Sequence, residues 1–517
     1  MVNAIPKQLV VLMIVVFVSL MFMGLSCSDT DSSDDDDDND TTNNNSSDDD
    51  TSNDDDDDDL TPGSTLFAAA GQTVITPNTE NHPETIYLGG IFPSRLATGV
   101  HDDLLAAALM LKKGDEEVVL VSLDLLGFTR TRGREIQEQL AEYGLVKEHI
   151  LIASTHTHEA PDTIGVFGPN VLTSGVSPTY MTFLRNAVVD LVLQLRENLM
   201  PVNMKAVRVE VNDPLSNYPT LTADLREPTI TVPWLSTAQF IDEAGVTVAT
   251  LLNWHTHPEV MIESTEISAD FPQWARQRME TQLGGASVYI SGALGGLATP
   301  TGVEVPARSE NGEPISDDDG NPLYYLEGTW EKARSLGFVI ADLALEALNE
   351  AEVIIDPDLT VDVEELLLPV TNPIMFLAYI TGLVEFEEAD VVQDQPEFCG
   401  WFGCSSDRLA VVRFGPVALV TSPGETFPET LIGREKSVVD FGEGWGEFTF
   451  SAIDGIEAHM DTTVPMHMSV CGNETGYLIP AADFHAPNHP DYYEEELFWG
   501  FNTETLYRQT AIDMLNE

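Results

Sequence analysis

The stretch "VTVATLLNWHTHPEV" at residues 246–260 is an apolar run that stops on a His-Thr-His triplet, and "HILIASTHTHEAPD" at 149–162 does the same. Short runs rich in β-branched residues and closed by polar ones predict buried strands over 149–155 and 246–254. Further strands are predicted in "EVVLVSLDLLG" (117–127) and "RFGPVALVTSPGE" (413–425). Segments 131–144, 177–198, 271–284 and 332–352 carry apolar residues three and four apart, which predicts helices. Strands alternating with helices predict an α/β fold, a large layered domain with a mixed β-sheet core and flanking helices. Segment 303–328, with "DDDGNP", reads as an exposed loop or lid that shapes substrate access.

The two triplets hold four of the eleven histidines in the chain. Residues i and i+2 of a strand face the same way, so both histidines of a triplet look in one direction. The ends of strands in α/β proteins open onto crevices that hold ligands. One triplet is as well explained by a solvated loop or a hydrogen-bonded core histidine; two at matched strand ends point to a shared metal ion. A third strand end, "LVTSPGETFPE" (419–429), places Glu425 after Pro-Gly. Alone it reads as an exposed loop acid, but with the histidines it completes a His/His/Glu set of the kind catalytic zinc sites use. Known metal patterns do not fit otherwise. His158 is followed by Glu-Ala-Pro-Asp, which breaks the His-x-His-x-Asp-His arrangement, and no His-Glu-x-x-His helix occurs. The cluster "HAPNH" (485–489) reads as a polar surface loop.

An ordered set of stretches is similar to the neutral/alkaline ceramidase family, in its catalytic N-terminal region. They are "GVHDDLLAAALML" (99–111), "VVLVSLDLLGF" (118–128), "STHTHEAPDT" (154–163), "NWHTHPEV" (253–260), "ISADFPQWAR" (267–276), "SGALGGLATP" (291–300), "PGETFPE" (423–429) and "NETGYLIP" (473–480). The resemblance implies a neutral-ceramidase-like catalytic domain over residues 64–517, with Zn2+ held by His156, His257, Glu425 and Tyr477. It implies that His158 hydrogen-bonds the reacting group, that His255 is an extra neighbour, and that Asp270 is structural or supports the ligands. The family's catalytic serine precedes a proline; here Thr299 precedes Pro300 in "GGLATP", one residue further along, and the family's Asp is Gly296. Thr299 is therefore a candidate nucleophile beside zinc-activated water. Ala107 stands where an arginine is usual, and the chain ends soon after Tyr477, so the family's C-terminal immunoglobulin-like domain is expected to be missing.

The start of the chain gives an address. Lys7, an apolar run from Leu9 to Leu25, then Ser26 and Cys27 read as a lipoprotein-type signal peptide (1–27) ending at a lipidated Cys27. Gly24 departs from the branched residue usual three positions before the cut. Residues 28–63 read as an acidic disordered tether, with 17 Asp and no basic residue between Ser28 and Asp59. The remainder is acidic too: 69 of 86 Asp+Glu lie beyond residue 59, against 22 of 23 Lys+Arg, leaving about −47 of the net −63. That balance argues against nucleic acid as a partner, since phosphate contacts need Lys and Arg. "CGWFGC" in an exported chain predicts a Cys399–Cys404 disulfide with Cys471 left over.

Together these readings predict a zinc-dependent hydrolase that cleaves the N-acyl amide bond of ceramide or a related lipid amide. It would act in a bacterial cell envelope, held to the membrane by lipid at Cys27 and facing the periplasm or exterior, or secreted. Two alternatives stay open: a zinc hydrolase of the same fold acting on another amide or ester, and a catalytically silent surface-binding lipoprotein.

Overall fold

Both faces of the strand Leu105–Lys113 are buried, and its residues divide by parity between two cores. Ala106, Ala108 and Met110 face a helical layer, whereas Ala107, Leu109 and Leu111 face other sheets. The period-2 geometry of a strand makes that split, and burial on both faces explains a continuous apolar run with no polar alternation. Neighbouring Glu116–Leu123 divides likewise, Val119, Val121 and Leu123 on one side, Val118 and Leu120 on the other.

The computed structural model describes residues 65–78, 84–384, 397–399, 403–442 and 444–517. The segments read from sequence as a signal peptide ending at Cys27 and as an acidic tether lie outside the described residues.

Three sheets build the interior. The first runs Ile150–Ser154, Glu116–Leu123, Leu105–Lys113, Phe67–Val74, Met200–Pro201 in spatial order. The second runs Ala286–Ser291, Thr247–Trp254, Trp234–Ile241, Asn203–Glu210, and the third Leu359–Pro369, Cys404–Phe414, Val417–Thr421, Val464–Met468. Residues from all three meet in one apolar cluster that includes Leu109, Leu120, Phe240, Leu251, Phe414 and Met466. Each such side chain, fully buried, contributes roughly 1.5–3 kcal/mol.

Helices cover the outer faces. Pro178–Glu197 packs Leu184, Val188, Leu191 and Leu195 onto the first sheet; the Ser177 side chain caps it and Pro178 opens it. Phe271–Leu283 and Trp330–Glu350 cover the second sheet, and Thr503–Asn516 covers the third. The α/β architecture with a mixed sheet core and flanking helices is as expected, and the four helices fall within three residues of the predicted bounds.

One predicted strand is divided. Gly415, at φ 53°, turns the chain after Phe414, so 413–425 becomes the end of one strand, the return strand Val417–Thr421, and the short Glu425–Thr426. The segment 303–328 is mostly exposed from Ser309 onward and carries the small ladder Val305–Pro306 with Tyr324–Tyr325. The buried Lys332 ammonium anchors its two ends through the carbonyls of Pro300 and Leu326 at 2.8 and 2.9 Å. The Cys399–Cys404 disulfide is present, and Cys471 is free and buried.

Within this fold each sheet contains one parallel pair: 116–123 with 150–154, 247–254 with 286–291, and 417–421 with 464–468. The C-terminal ends of the three pairs come together. Ser154 N–H donates to the Val470 carbonyl at 3.1 Å, Ser291 Oγ to that of Thr155 at 2.7 Å, and Ser469 N–H to that of Ser291 at 2.9 Å. Small polar residues at the strand ends thus satisfy backbone groups where sheets abut.

Candidate metal centre

The residues that follow these strand ends line one buried site. Strand 150–154 delivers His156 and His158, strand 247–254 delivers His257, and strand 417–421 delivers Glu425. All four are less than a tenth exposed. One ligand atom from each of His156, His158 and His257 lies within 4.8 Å of the others.

Backbone carbonyls set the ring orientation. His156 Nδ1 lies 2.6 Å from the Leu126 carbonyl, and His257 Nδ1 lies 2.8 Å from that of Ala298. A carbonyl only accepts, so in each neutral ring Nδ1 carries the proton and Nε2 presents a lone pair. Those lone pairs meet a carboxylate: Glu425 Oε2 is 3.2 Å from His257 Nε2 and 3.6 Å from His156 Nε2. Three electron-rich atoms sealed from water favour a positive charge among them, a proton or a metal ion, and the donor set is one that could hold zinc.

Electrostatics agree. Burial pushes His156 down to about 4 despite the pull of Glu425. Burial also opposes charge on His257, but Glu259 and Glu425 outweigh it and hold this imidazole up at about 9. With no metal bound, the proton that the carboxylates attract sits on His257. His158 is driven well below its ordinary range by burial and by the other two histidines.

His156 adopts φ 72°, a left-handed backbone that costs a β-carbon-bearing residue on the order of 1 kcal/mol. Its N–H and the Leu125 carbonyl hold it there at 2.8 Å. His158 is free to act on another group: neither ring nitrogen has a hydrogen-bond partner among the described residues. The Arg95 guanidinium grips the carbonyls of Gly89 and His158 and fixes this turn. Gly90, at φ 86°, lies against the ring; a Cβ there would stand 2.8 Å from His158 Nδ1.

Tyr477 is the register partner of Glu425 in a two-residue parallel ladder, and it is buried. Burial, then the Glu425 charge, push its phenol up. Thr299 is also buried; its hydroxyl bonds the Glu259 carboxylate and accepts the Thr301 N–H at 3.0 Å. His255 stands apart from the cluster, because its Nδ1 accepts the Ala293 N–H at 2.9 Å. Asp270, at φ 55°, caps the helix Phe271–Leu283 through the Phe271 N–H at 2.6 Å and is structural.

Three site residues were not singled out from sequence. Glu259 Oε2 lies 3.6 Å from His158 Nδ1, and Glu474 Oε2 lies 3.8 Å from His156 Nδ1. Tyr493 places its ring 6.2 Å from that of Tyr477. The two glutamates are embedded in the stretches "WHTHPEV" and "NETGYLIP", so closeness in sequence to a ligand was the available signal. "HAPNH" departs from expectation: His485 and His489 are buried, not exposed.

No model of a protein family matches the chain, and no curated protein matches it. Solved structures do. The crystal structure of neutral ceramidase from Pseudomonas aeruginosa matches 87% of this chain and 74% of that one, with a TM-score of 0.61 at 15% sequence identity. A ceramidase complexed with C2 matches with the same TM-score and identity, covering 87% of this chain and 75% of that one. The expected resemblance therefore holds in three dimensions: this chain has the fold of the neutral ceramidases.

Proposed function

We propose that this protein is a zinc-dependent hydrolase that cleaves the N-acyl amide bond of ceramide or a related lipid amide. The observation that carries the reading is the meeting of the His156 and His257 Nε2 atoms with Glu425 Oε2, in a chain with a ceramidase fold. Zinc bound there by His156, His257, Glu425 and Tyr477 would supply Lewis acidity, polarising the acyl carbonyl and acidifying water to a pKa of about 7.

The chain's own residues do the rest. His158, unpartnered at both ring nitrogens, hydrogen-bonds the reacting acyl group and moves a proton to the departing amine. The Glu259 carboxylate holds the Thr299 hydroxyl on the His257 side of the site. Buried walls exclude bulk water and strengthen each of these contacts. A lipid anchor at Cys27 would place the enzyme beside membrane-borne substrate in the cell envelope. A specific residue favours a second reading: Thr299, where the family resemblance has serine, suits a hydrolase of the same fold acting on another amide or ester.

The test is to purify the full chain, measure bound zinc, and assay fluorescent-acyl ceramide with wild type, His257→Ala and Thr299→Ala. Turnover and zinc at this centre are expected in the wild type and neither in His257→Ala. Zinc without turnover of ceramide, but with turnover of short acyl amides, would move the substrate to the second reading. Zinc with no turnover of any acyl amide or ester would overturn the enzyme. A Cys27→Ala variant that stays in the membrane fraction would overturn the anchor.

A further inference from the structure

Outside the first centre, His485, His489 and Asp491 bring one potential ligand atom each to within 4.8 Å of one another. His485 is 6% and His489 8% exposed. Neither imidazole has an ion pair among the described residues, and their burial is produced by a hairpin laid over them. Ser437–Asp440 and Glu447–Phe450 pair antiparallel, and the aromatic rings of this hairpin close on the histidines. Phe441 and Trp445 stand 4.4 and 4.8 Å from His489, and Phe448 stands 5.1 Å from His485.

The nitrogens inside this box are underused. His485 Nε2 is buried and has no hydrogen-bond partner among the described residues. His489 Nδ1 accepts one long bond, 3.2 Å, from the Asp491 N–H, which occupies that lone pair, so an ion meets this ring at Nε2 in place of its proton. Asp491 Oδ2 accepts the Glu227 N–H at 3.1 Å, leaving its second oxygen as a donor to a cation.

We propose that His485, His489 and Asp491 form a second metal site, for a divalent transition ion of the zinc class, that clasps the loop bearing Tyr493. Two imidazoles and one carboxylate suit zinc, copper or nickel rather than calcium or magnesium, which want oxygen. The rings now lie stacked, 3.8 Å apart and 7° from parallel. A metal lies close to the plane of each imidazole that binds it, so binding turns one ring against its aromatic wall. Trp445 touches His489 and reports that turn.

The loop's position gives the ion a consequence. Arg226 already ties residues 483–495 together, donating to the Asp483 and Asp491 carbonyls at 2.6 and 3.2 Å and pairing with Glu494 and Glu495. Glu495 in turn accepts the His485 N–H at 2.8 Å. Arg434 links Asp483 to Glu429, four residues beyond Glu425. Tyr493, at the end of this loop, stands beside Tyr477. An ion clasping the loop therefore fixes one wall of the first centre from a distance. The second site stands whether or not the first centre hydrolyses lipid amides.

Zinc per chain, measured on the full-length protein after stripping with chelator and dialysis against zinc chloride, tests this. Two zinc ions are expected in the wild type, one in His485→Ala/His489→Ala, and one in His156→Ala/His257→Ala. A single zinc in the wild type that His156→Ala/His257→Ala abolishes would overturn the second site, as would two zincs retained by His485→Ala/His489→Ala. One zinc in His156→Ala/His257→Ala but none in His485→Ala/His489→Ala would leave the second site and sink the first. Should the His485→Ala/His489→Ala chain not fold, tryptophan emission of His156→Ala/His257→Ala decides. Zinc is expected to change it, and the added substitution Trp445→Phe to remove most of that change; no response would overturn the proposal.

Discussion

Arg276 holds Asp124 with two hydrogen bonds, Nη1 to Oδ1 at 2.9 Å and Nη2 to Oδ2 at 2.5 Å, and both side chains are sealed from solvent. Asp124 follows directly on strand 116–123 and also accepts the Leu105 N–H at 2.8 Å. One and two residues later, Leu125 and Leu126 offer the carbonyls that position His156. The pair therefore ties the helix Phe271–Leu283 to the peptide that aims a metal ligand. Removing one partner leaves a buried charge alone, so Arg276→Met is expected to lower unfolding free energy by about 3–5 kcal/mol in urea titrations. Removing both, as Arg276→Met with Asp124→Leu, is expected to recover most of the loss. A double variant no more stable than the single one would show that the charge is not the issue.

The two histidines of the second triplet are expected to separate cleanly. His257→Ala removes a donor to the ion and abolishes zinc binding at this centre. His255→Ala leaves the Ala293 N–H without its acceptor, which costs about 1–3 kcal/mol of stability, while zinc stays bound. Equilibrium dialysis and thermal melts on the two variants would check this; zinc loss in both would reject the division.

His257 gives a pH dependence of known sign. In the metal-free protein its pKa is held up at about 9, against the ordinary 6.5. A raised folded-state pKa contributes stability that is complete below about pH 6.5 and is lost as pH climbs to about 9. The stability difference between wild type and His257→Gln, both metal-free, is expected to shrink over that window in denaturant titrations at stepped pH. Zinc must displace the same proton, so its affinity should rise about tenfold per pH unit between pH 7 and 9. An affinity flat across that range would contradict the protonation of His257.

Thr299 and Glu259 form one unit, and their variants distinguish two mechanisms. If the Thr299 hydroxyl is the nucleophile, Thr299→Ala loses activity by at least about 10³-fold and Glu259→Gln by a similar factor. If water is the nucleophile, Thr299→Ala retains activity within about tenfold. Zinc content is expected to be unchanged in Thr299→Ala, so the assay reads chemistry rather than metal loss.

Much of the fold was legible because continuous apolar runs and helical spacing are strong signals. The strands 117–127, 149–155 and 246–254 and four helices could be placed from pattern alone. The site was legible because two His-Thr-His triplets and Pro-Gly-Glu each follow such a run. What the pattern could not carry was long-range pairing. Three sheets, each mostly antiparallel, share a core whose partners lie hundreds of residues apart, as Gln72 and Ser287 do through a 2.7 Å bond. Glu259 and Glu474 read as ordinary polar residues because only the fold encloses their side chains. "HAPNH" was misread for a related reason: its cover is a hairpin more than thirty residues upstream.

The convergence of three strand ends makes the centre a proof-reader of its own assembly. His156 belongs to the first sheet, His257 to the second and Glu425 to the third, so no one sheet, and no adjoining pair, owns a complete ligand set. A metal held there would enter last, once every sheet has docked, and a misassembled or nicked molecule would be left without one. Occupancy by an ion would thus work as a certificate of tertiary completion.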